Sequence, residues 1–361
     1  MSKRLLLVGA GHSHLEVLRQ LKATPIRNVD VCMISPSKYQ YYSGMFSGFT
    51  EGIYSEEETR IDITKLTKDA GVQLIQKKAH TLKALQRKVV CGDGSVYPFD
   101  VISFDIGSES LPLSFEDTIA RTIKPNHRFI DQMKELRETS QPLIVGGGAA
   151  GTEMALSMQA YKQQNRIPGQ VRLITADRIL SESPKWISSK LEKLLLNKGV
   201  HVWKDERVED IYEQYVRTDQ GNKVRHTGVL WLGGARGDAI FERSSIDTDQ
   251  KGFALVRPTL QFKDYDYIFG AGDCVTLIDF PSLPKSGVYA VRQGPVLWEN
   301  LNKYLTGGQP MDTYVPQKSA LYILSTGGKK GFLIYGPLSS HTHRAWKMKN
   351  KIDREFMAEY Q

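Results

Sequence analysis

Cysteine is scarce in this chain. Cys32, Cys91 and Cys274 are its only three in 361 residues, and they lie far apart. No C-x-x-C or C-x4-C spacing occurs, which excludes a paired-thiol disulfide relay and a thiolate metal centre and is consistent with a reducing compartment. Long apolar runs are missing too. Spanning a bilayer as a helix needs about 18 or more apolar residues in sequence, and no stretch reaches that. Low-complexity tracts are absent, and nothing before the first strand reads as a secretory leader, so the expected location is cytoplasmic, or peripheral on the inner face of the membrane. Acidic residues are outnumbered, 40 against 48 basic ones, for a net charge of +8. Because the basic residues are scattered except near the C-terminus, this excess suggests bound acidic cofactors or contact with an anionic membrane. No nucleic-acid partner is expected.

What the chain does have is a strand–glycine–helix signal, twice. Leu5 to Val8 forms a short apolar run. Gly9 and Gly11 then permit a sharp turn, and a helix from about His12 offers unpaired N–H groups to a dinucleotide pyrophosphate. His14 stands where a third glycine is usual. The second copy, Leu143 to Ala155, carries Gly146, Gly148 and Gly151 in full G-x-G-x-x-G register. Two such turns predict two nucleotide sites, in a chain long enough for two or three domains. Neither unit has the acidic residue that usually grips a ribose at the end of its second strand. Val29 to Ile34 runs into Ser35 and Pro36, and Val171 to Thr175 ends at Thr175 itself. With no carboxylate there to repel a 2′-phosphate and Arg178 just beyond to pair with it, loose selectivity between NADH and NADPH is expected.

Between and after these units the pattern is mixed. Tyr39 to Gly52 is aromatic and glycine-rich, either a loop passing a flat ligand or an ordinary Gly-Ser turn. Short strands surround the hairpin turn Gly92-Asp93-Gly94, and Val101 to Ile106 runs as a buried strand into Gly107 and Ser108. A polar connection, Ser110 to Gln141, holds one helix from Asn126 to Thr139. Val229 to Leu232 closes the second unit and breaks at Gly233-Gly234. Gly270 to Cys274 places a carboxylate, Asp273, at the end of a buried strand, to accept a hydrogen bond from a cofactor hydroxyl or simply to cap a helix. A helix is expected over Lys285 to Leu305, then a hairpin over Leu321 to Tyr335. A last helix, Ser340 to Tyr360, aligns Ala345, Met348, Ile352 and Phe356 among lysines.

The order of these motifs resembles the two-dinucleotide-domain flavoproteins of the pyridine nucleotide-disulfide oxidoreductase family, in its type II NADH dehydrogenase-like group. It is most similar to the oxidoreductase domain fused to some selenophosphate synthetases. The resemblance is carried by GAGHSHLEVLR at Gly9 to Arg19, ISP and YSGM within Ile34 to Met45, FDIGS at Phe104 to Ser108, GGGAAGTE at Gly146 to Glu153, GAGDC at Gly270 to Cys274, LPKSGVYAVRQG at Leu283 to Gly294, and KIDREFM at Lys351 to Met357. His14 fits that subgroup.

The resemblance implies an α/β fold with two Rossmann-like dinucleotide-binding domains and a small C-terminal hairpin and helix. Residues 1–112 and 251–315 would hold FAD, 113–250 would hold NAD(P)H, and 316–361 would form the appendage. Cofactor contacts are expected from Gly9, Gly11, His12, His14, Ser35, Pro36, Ser43, Gly44, Ala79, Gly107, Ser108, Gly272, Asp273 and Cys274 on the FAD side. On the NAD(P)H side they are expected from Gly146, Gly148, Gly151, Glu153, Thr175 and Gly234. Cys274 reads as a small buried residue at the flavin edge, with a redox role as the alternative. Lys285 and Gln293 are the candidates for the flavin's pyrimidine end and for an acceptor carbonyl; a solvated lysine and a glutamine bonded to backbone are the alternatives. The activity implied is hydride transfer from NAD(P)H to flavin and onward to a quinone-like acceptor. The basic C-terminal helix itself offers a contact to an anionic membrane, with packing of Ile352 and Phe356 on the protein's own body as the alternative. The rival is a redox-sensing or scaffold flavoprotein with little turnover.

Overall fold

Apolar runs that alternate with amphipathic helices pack as parallel strands covered on both faces. A computed structural model of the chain describes residues 2–110, 120–124, 126–317, 321–336 and 338–361. Its first strand, β1 (Lys3–Val8), leads through Gly9 and Gly11 into α1 (His12–Ala23) and on to β2 (Val29–Ile34), which pairs parallel with β1 from Lys3↔Val29 to Val8↔Ile34. β3 (Gln73–Ile75) extends that edge, and β4 (Val101–Phe104) flanks β1 on the other side. The buried core between them is built from Leu5, Leu7, Leu15, Leu18, Met33, Ile102 and Phe104.

The chain then leaves this sheet. The expected boundary at residues 112 and 113 lies outside the described residues. Beyond it, α2 (Asn126–Leu136) precedes β5 (Pro142–Val145), α3 (Ala149–Gln164), β6 (Arg172–Ile174), β7 (His201–Trp203) and β8 (Gly228–Trp231). Together with Ala120–Thr122 these strands form a second, all-parallel sheet. A three-stranded antiparallel sheet over 208–225, which the sequence reading missed, sits beside it. Its strands are only three or four residues long and separated by polar turns, too short for an alternation signal.

Four further strands between 254 and 277 return to the first sheet, with β9 (Tyr265–Gly270) pairing parallel with β4. The long helix α4 (Gly287–Thr306) follows and packs against α1. It begins two residues later than expected: Ser286 is the N-cap, and Lys285 lies outside the helix. At the end, β10 (Tyr322–Ser325), β11 (Gly331–Tyr335) and β12 (Leu338–Thr342) form an antiparallel sheet in front of α5 (His343–Ala358). The hairpin is therefore a three-stranded sheet, and residues 340–342, expected in the helix, belong to its third strand.

The segment Tyr39 to Gly52 is not a loop. It folds as a strand, Tyr39–Tyr41, a single 3-10 turn and a helix, Phe46–Glu51, whose six residues are all buried. Phe46 stacks on Phe129 of α2 with ring centroids 4.0 Å apart. Packing overrides the glycine count here. Gly48 is small because a Cβ would stand 2.2 Å from the Tyr54 ring.

Candidate dinucleotide sites

The first glycine turn is built around a residue that the sequence reading left without a role, Asp105. Gly9 has φ +89°, and a Cβ there would sit 2.3 Å from the Asp105 carbonyl. At Gly11 a Cβ would meet the Asp105 Oδ1 at 2.1 Å, and at Gly272 the same atom at 2.6 Å. Oδ2 accepts hydrogen bonds from the first-turn amides of Ser13 (2.7 Å) and His14 (3.0 Å) of α1. Burial pushes this carboxyl up to about 7, against those two amide bonds.

His14 explains why the third glycine is dispensable. In the second turn a Cβ on Gly151 would collide with the Gly146 carbonyl at 1.8 Å. In the first, His14 fills that space and uses it: Nδ1 lies 2.7 Å from the Gly9 carbonyl and Nε2 2.8 Å from Ser103 Oγ. Since a carbonyl only accepts, Nδ1 carries the proton and the Ser103 hydroxyl donates to Nε2. Desolvation lowers the His14 pKa to about 4. Its side chain belongs to the core and does not face the cleft.

The cleft at this turn has a volume of about 470 Å³ and is lined by Gly9, Gly11, His12, Ser35, Pro36, Ser43, Ala79, Gly107, Ser108 and Asp273. All ten are among the residues expected there. The lining suits a long polar ligand. Ser108 Oγ and Asn126 Oδ1 are buried without a hydrogen-bond partner among the described residues, and both residues line the cleft. Asp273 Oδ2 lies 3.3 Å from Lys124 Nζ, an ammonium delivered by the turn before α2. His12 packs on Tyr42 and Phe356, with centroids 5.6 and 5.4 Å away, and desolvation lowers its pKa to about 4.

Other expected residues lie outside this lining. Gly44 offers its carbonyl to Lys349 of α5. Cys274 is fully buried; its thiol donates to the Ala271 carbonyl at 3.1 Å, and burial pushes its pKa far up, against the alternative of a reactive thiolate. The Lys285 ammonium donates to the Val275 carbonyl and to Thr276 Oγ1 (2.8 Å) and lies 4.3 Å from the centre of the Phe253 ring. Gln293 is buried, and its Oε1 accepts from the Gly272 amide at 2.6 Å. An ammonium sheltered from water needs such partners. The glutamine's backbone-bonded alternative is the arrangement observed, and the lysine's polar head is likewise turned onto protein.

The second turn places Gly146 (φ +119°) against the Leu232 carbonyl and Gly147 against Thr175, whose Oγ1 would be 2.6 Å from a Cβ. Gly148 caps α3 with open space around it. Thr175 is buried at the strand end, and Gly234, with φ +122°, lies just beyond β8. Glu153 points elsewhere: it accepts from the Ser325 amide at 2.8 Å and, with Lys349 near it, ties α3 to the C-terminal module. Arg178 donates to the carbonyls of Ser183 (2.8 Å) and Ser181, so two of its five N–H donors are taken up by the loop that follows it.

Asp105 and Lys124 are the main residues that the sequence reading missed. Asp105 was visible as an unpaired acid closing a buried strand. Lys124 carries no local signal, because its partner is 149 residues away.

Comparisons with known proteins identify the family and the fold. Residues 3–294 match the family model described as pyridine nucleotide-disulphide oxidoreductase. Ferroptosis suppressor protein 1 of Mus musculus is 24% identical over 342 residues, covering 91% of this chain and 87% of its own length. A probable NADH dehydrogenase of Dictyostelium discoideum is 19% identical, with 92% and 80% covered. Among solved structures, the sulfide:quinone oxidoreductase of Aquifex aeolicus superposes with a TM-score of 0.83 at 16% identity, covering 99% of this chain and 91% of that one. NDH2 from Plasmodium falciparum in complex with NADH also gives 0.83, at 12% identity, with 100% and 98% covered. With its two glycine turns, its two parallel sheets and a family match that runs through both, the chain belongs to the pyridine nucleotide-disulphide oxidoreductase family, whose cofactors are FAD and NAD(P)H.

Proposed function

We propose that this protein is an FAD-dependent NAD(P)H:acceptor oxidoreductase whose acceptor is a quinone. FAD, when bound, supplies the capacity to take a hydride from the nicotinamide and to pass electrons on. The observation that carries the reading is the Lys124–Asp273 contact, which brings a cation from the second dinucleotide unit into the cleft of the first. A site shared in this way suits two cofactors that must meet.

The residues divide the work. Gly9, Gly107 and Ser108 let backbone and a lone hydroxyl reach a ligand, and Asp273 is the acceptor for its hydroxyls. The open N-terminus of α3 at Gly148 is the seat for the phosphates of NAD(P)H. Gln293 and Lys285 act as positioning residues. Gln293 pins the Gly272 amide, and Lys285 pins the strand that follows Asp273, so the carboxylate is held at the mouth of α4.

The quinone assignment leans on the names of the relatives and on the surface of α5. Met348 and Ile352 are each 45% exposed, beside the exposed Lys347 and Lys351. That strip is the contact we propose with an anionic membrane, where a quinone would be met. Among the described residues no helix is long and apolar enough to cross a membrane. The likeness to the oxidoreductase domain fused to selenophosphate synthetases remains part of this proposal and rests on the seven sequence segments that carry it, from Gly9 to Arg19 through Lys351 to Met357.

Steady-state NADH and NADPH oxidation with a series of quinones and with ferricyanide tests the reading. Turnover that depends on quinone structure is expected. Binding of both cofactors with no turnover on any acceptor would instead favour a sensing or scaffold role.

A further inference from the structure

Two helices in this chain begin at glycine turns, and their first amides meet different surroundings. α3 starts at Gly148, has no side-chain cap, and a Cβ there would meet nothing within 4 Å. α1 starts at Gly11, and its Ser13 and His14 amides are already bonded to Asp105 Oδ2. The carboxyl therefore occupies the end of the helix to which a dinucleotide pyrophosphate is drawn. It is a built feature of the fold: three glycines, at 9, 11 and 272, clear the space that its backbone and side chain fill. Asp105 is only 3% exposed, lines the cleft, and receives no hydrogen bond at Oδ1 from any described residue.

A carboxylate fixed in that seat would repel a doubly charged pyrophosphate, whereas a carboxylic acid could donate to it. We propose that Asp105 is a positioning residue for the pyrophosphate of the flavin cofactor: it stays seated on α1 as a neutral acid, turns its Oδ1 hydroxyl toward the phosphate, and takes up one proton as the cofactor binds. The inference rests on reading the cleft as the FAD site.

The groups around Asp105 support this assignment. From α1 come His12, held neutral, and His14, whose ring is turned away onto Gly9 and Ser103. The turn after β9 contributes Asp273, which raises the Asp105 pKa, and the thiol of Cys274, which stays protonated. The second unit contributes Lys124, which lowers it. α4 faces the cleft with Gly287 and Ala290, neither of them ionisable. In the cofactor-free chain burial dominates, and the carboxyl titrates near 7. Two further negative charges would move it higher. Between those two values cofactor affinity falls about tenfold for each unit of rising pH, as linkage to a single proton requires.

Calorimetric titration of FAD into the cofactor-stripped full-length protein, in two buffers of different ionisation enthalpy, counts protons directly. The expected uptake is close to zero at pH 6 and approaches one per FAD by about pH 8.5, with the dissociation constant rising alongside. Asp105→Asn keeps the shape and a donor; it should bind FAD with no proton uptake and a pH-independent constant. Tight binding to the unmodified protein without proton uptake overturns the inference alone, and needs no variant. Persistence of full uptake in Asp105→Asn also overturns it. Failure of FAD to bind at any pH removes the cofactor reading and this inference with it.

Discussion

Asp273 and His14 show how differently two polar side chains near one turn can act. Asp273 is partly exposed at the cleft, with one ammonium beside it. Asp273→Ala should weaken FAD by roughly 10- to 100-fold, since a hydrogen bond to a charged group contributes about 1.5–3 kcal/mol; fluorescence titration of the stripped protein checks this. His14 acts on stability. Burial holds its pKa at about 4 in the folded chain, against the ordinary 6.5 of a solvated imidazole. The unfolded chain therefore binds more protons between those values, so the contribution of His14 is fully present above about pH 6.5 and is lost as pH falls toward 4. The loss amounts to about 3 kcal/mol from a shift of this size. Denaturant unfolding at pH 4.5 and 7 should show that dependence reduced by about one proton in His14→Gln. His12 contributes with the same sign and Asp105 with the opposite one, so the comparison must be made against the unmodified protein. At this scale the sequence was half legible. Glycines, Ser35, Ser108 and Asp273 could be read from their turns, because a turn is local. The partners of Asp105, Lys124 and Gln293 could not, because each belongs to a different element, between 21 and 149 residues away.

The C-terminal helix α5 joins the three modules. Phe356 stacks on Tyr42 with centroids 4.4 Å apart, and Asp353, 4% exposed, pairs with Lys349 at 2.6 Å and accepts from the Tyr42 hydroxyl at 3.2 Å. Removing one member of a buried pair strands the other. Asp353→Ala should therefore cost about 3–5 kcal/mol, and adding Lys349→Met should restore much of it; chemical denaturation of both variants checks the pair. The apolar stripe read from the sequence splits in two. Ala345 and Phe356 pack on the body, whereas Met348 and Ile352 stay outside. Replacing the outer two with serine should leave thermal stability unchanged and reduce co-sedimentation with anionic liposomes at low salt. Equal sedimentation would mean that this strip does not contact lipid. Long helices and the two strand–turn–helix units were legible from periodicity and glycine spacing. The helix Phe46–Glu51 was not, since what fixes it is a phenyl stack on α2 and not its own propensity.

Across the whole molecule, the first sheet is interrupted by the second and completed after residue 254, so that the two dinucleotide units meet along a shared boundary. Contacts there include the strand pair Glu109↔Arg236 and Ser110↔Ala235 as well as Lys124–Asp273. The two glycine units made this duplication readable; how they close on each other depends on pairings that no local pattern announces. Lys124→Met should leave the NAD(P)H affinity of the second unit unchanged while shifting the visible spectrum or the retention of FAD. The most direct test of the proposed activity is the absorbance spectrum of the purified protein, recorded anaerobically before and after NADH and again after a quinone. A yellow protein that is bleached by NADH and regains its colour with the quinone is the predicted result. A colourless protein that takes up no FAD on reconstitution, or a flavin left oxidised by excess NADH and NADPH, would contradict it.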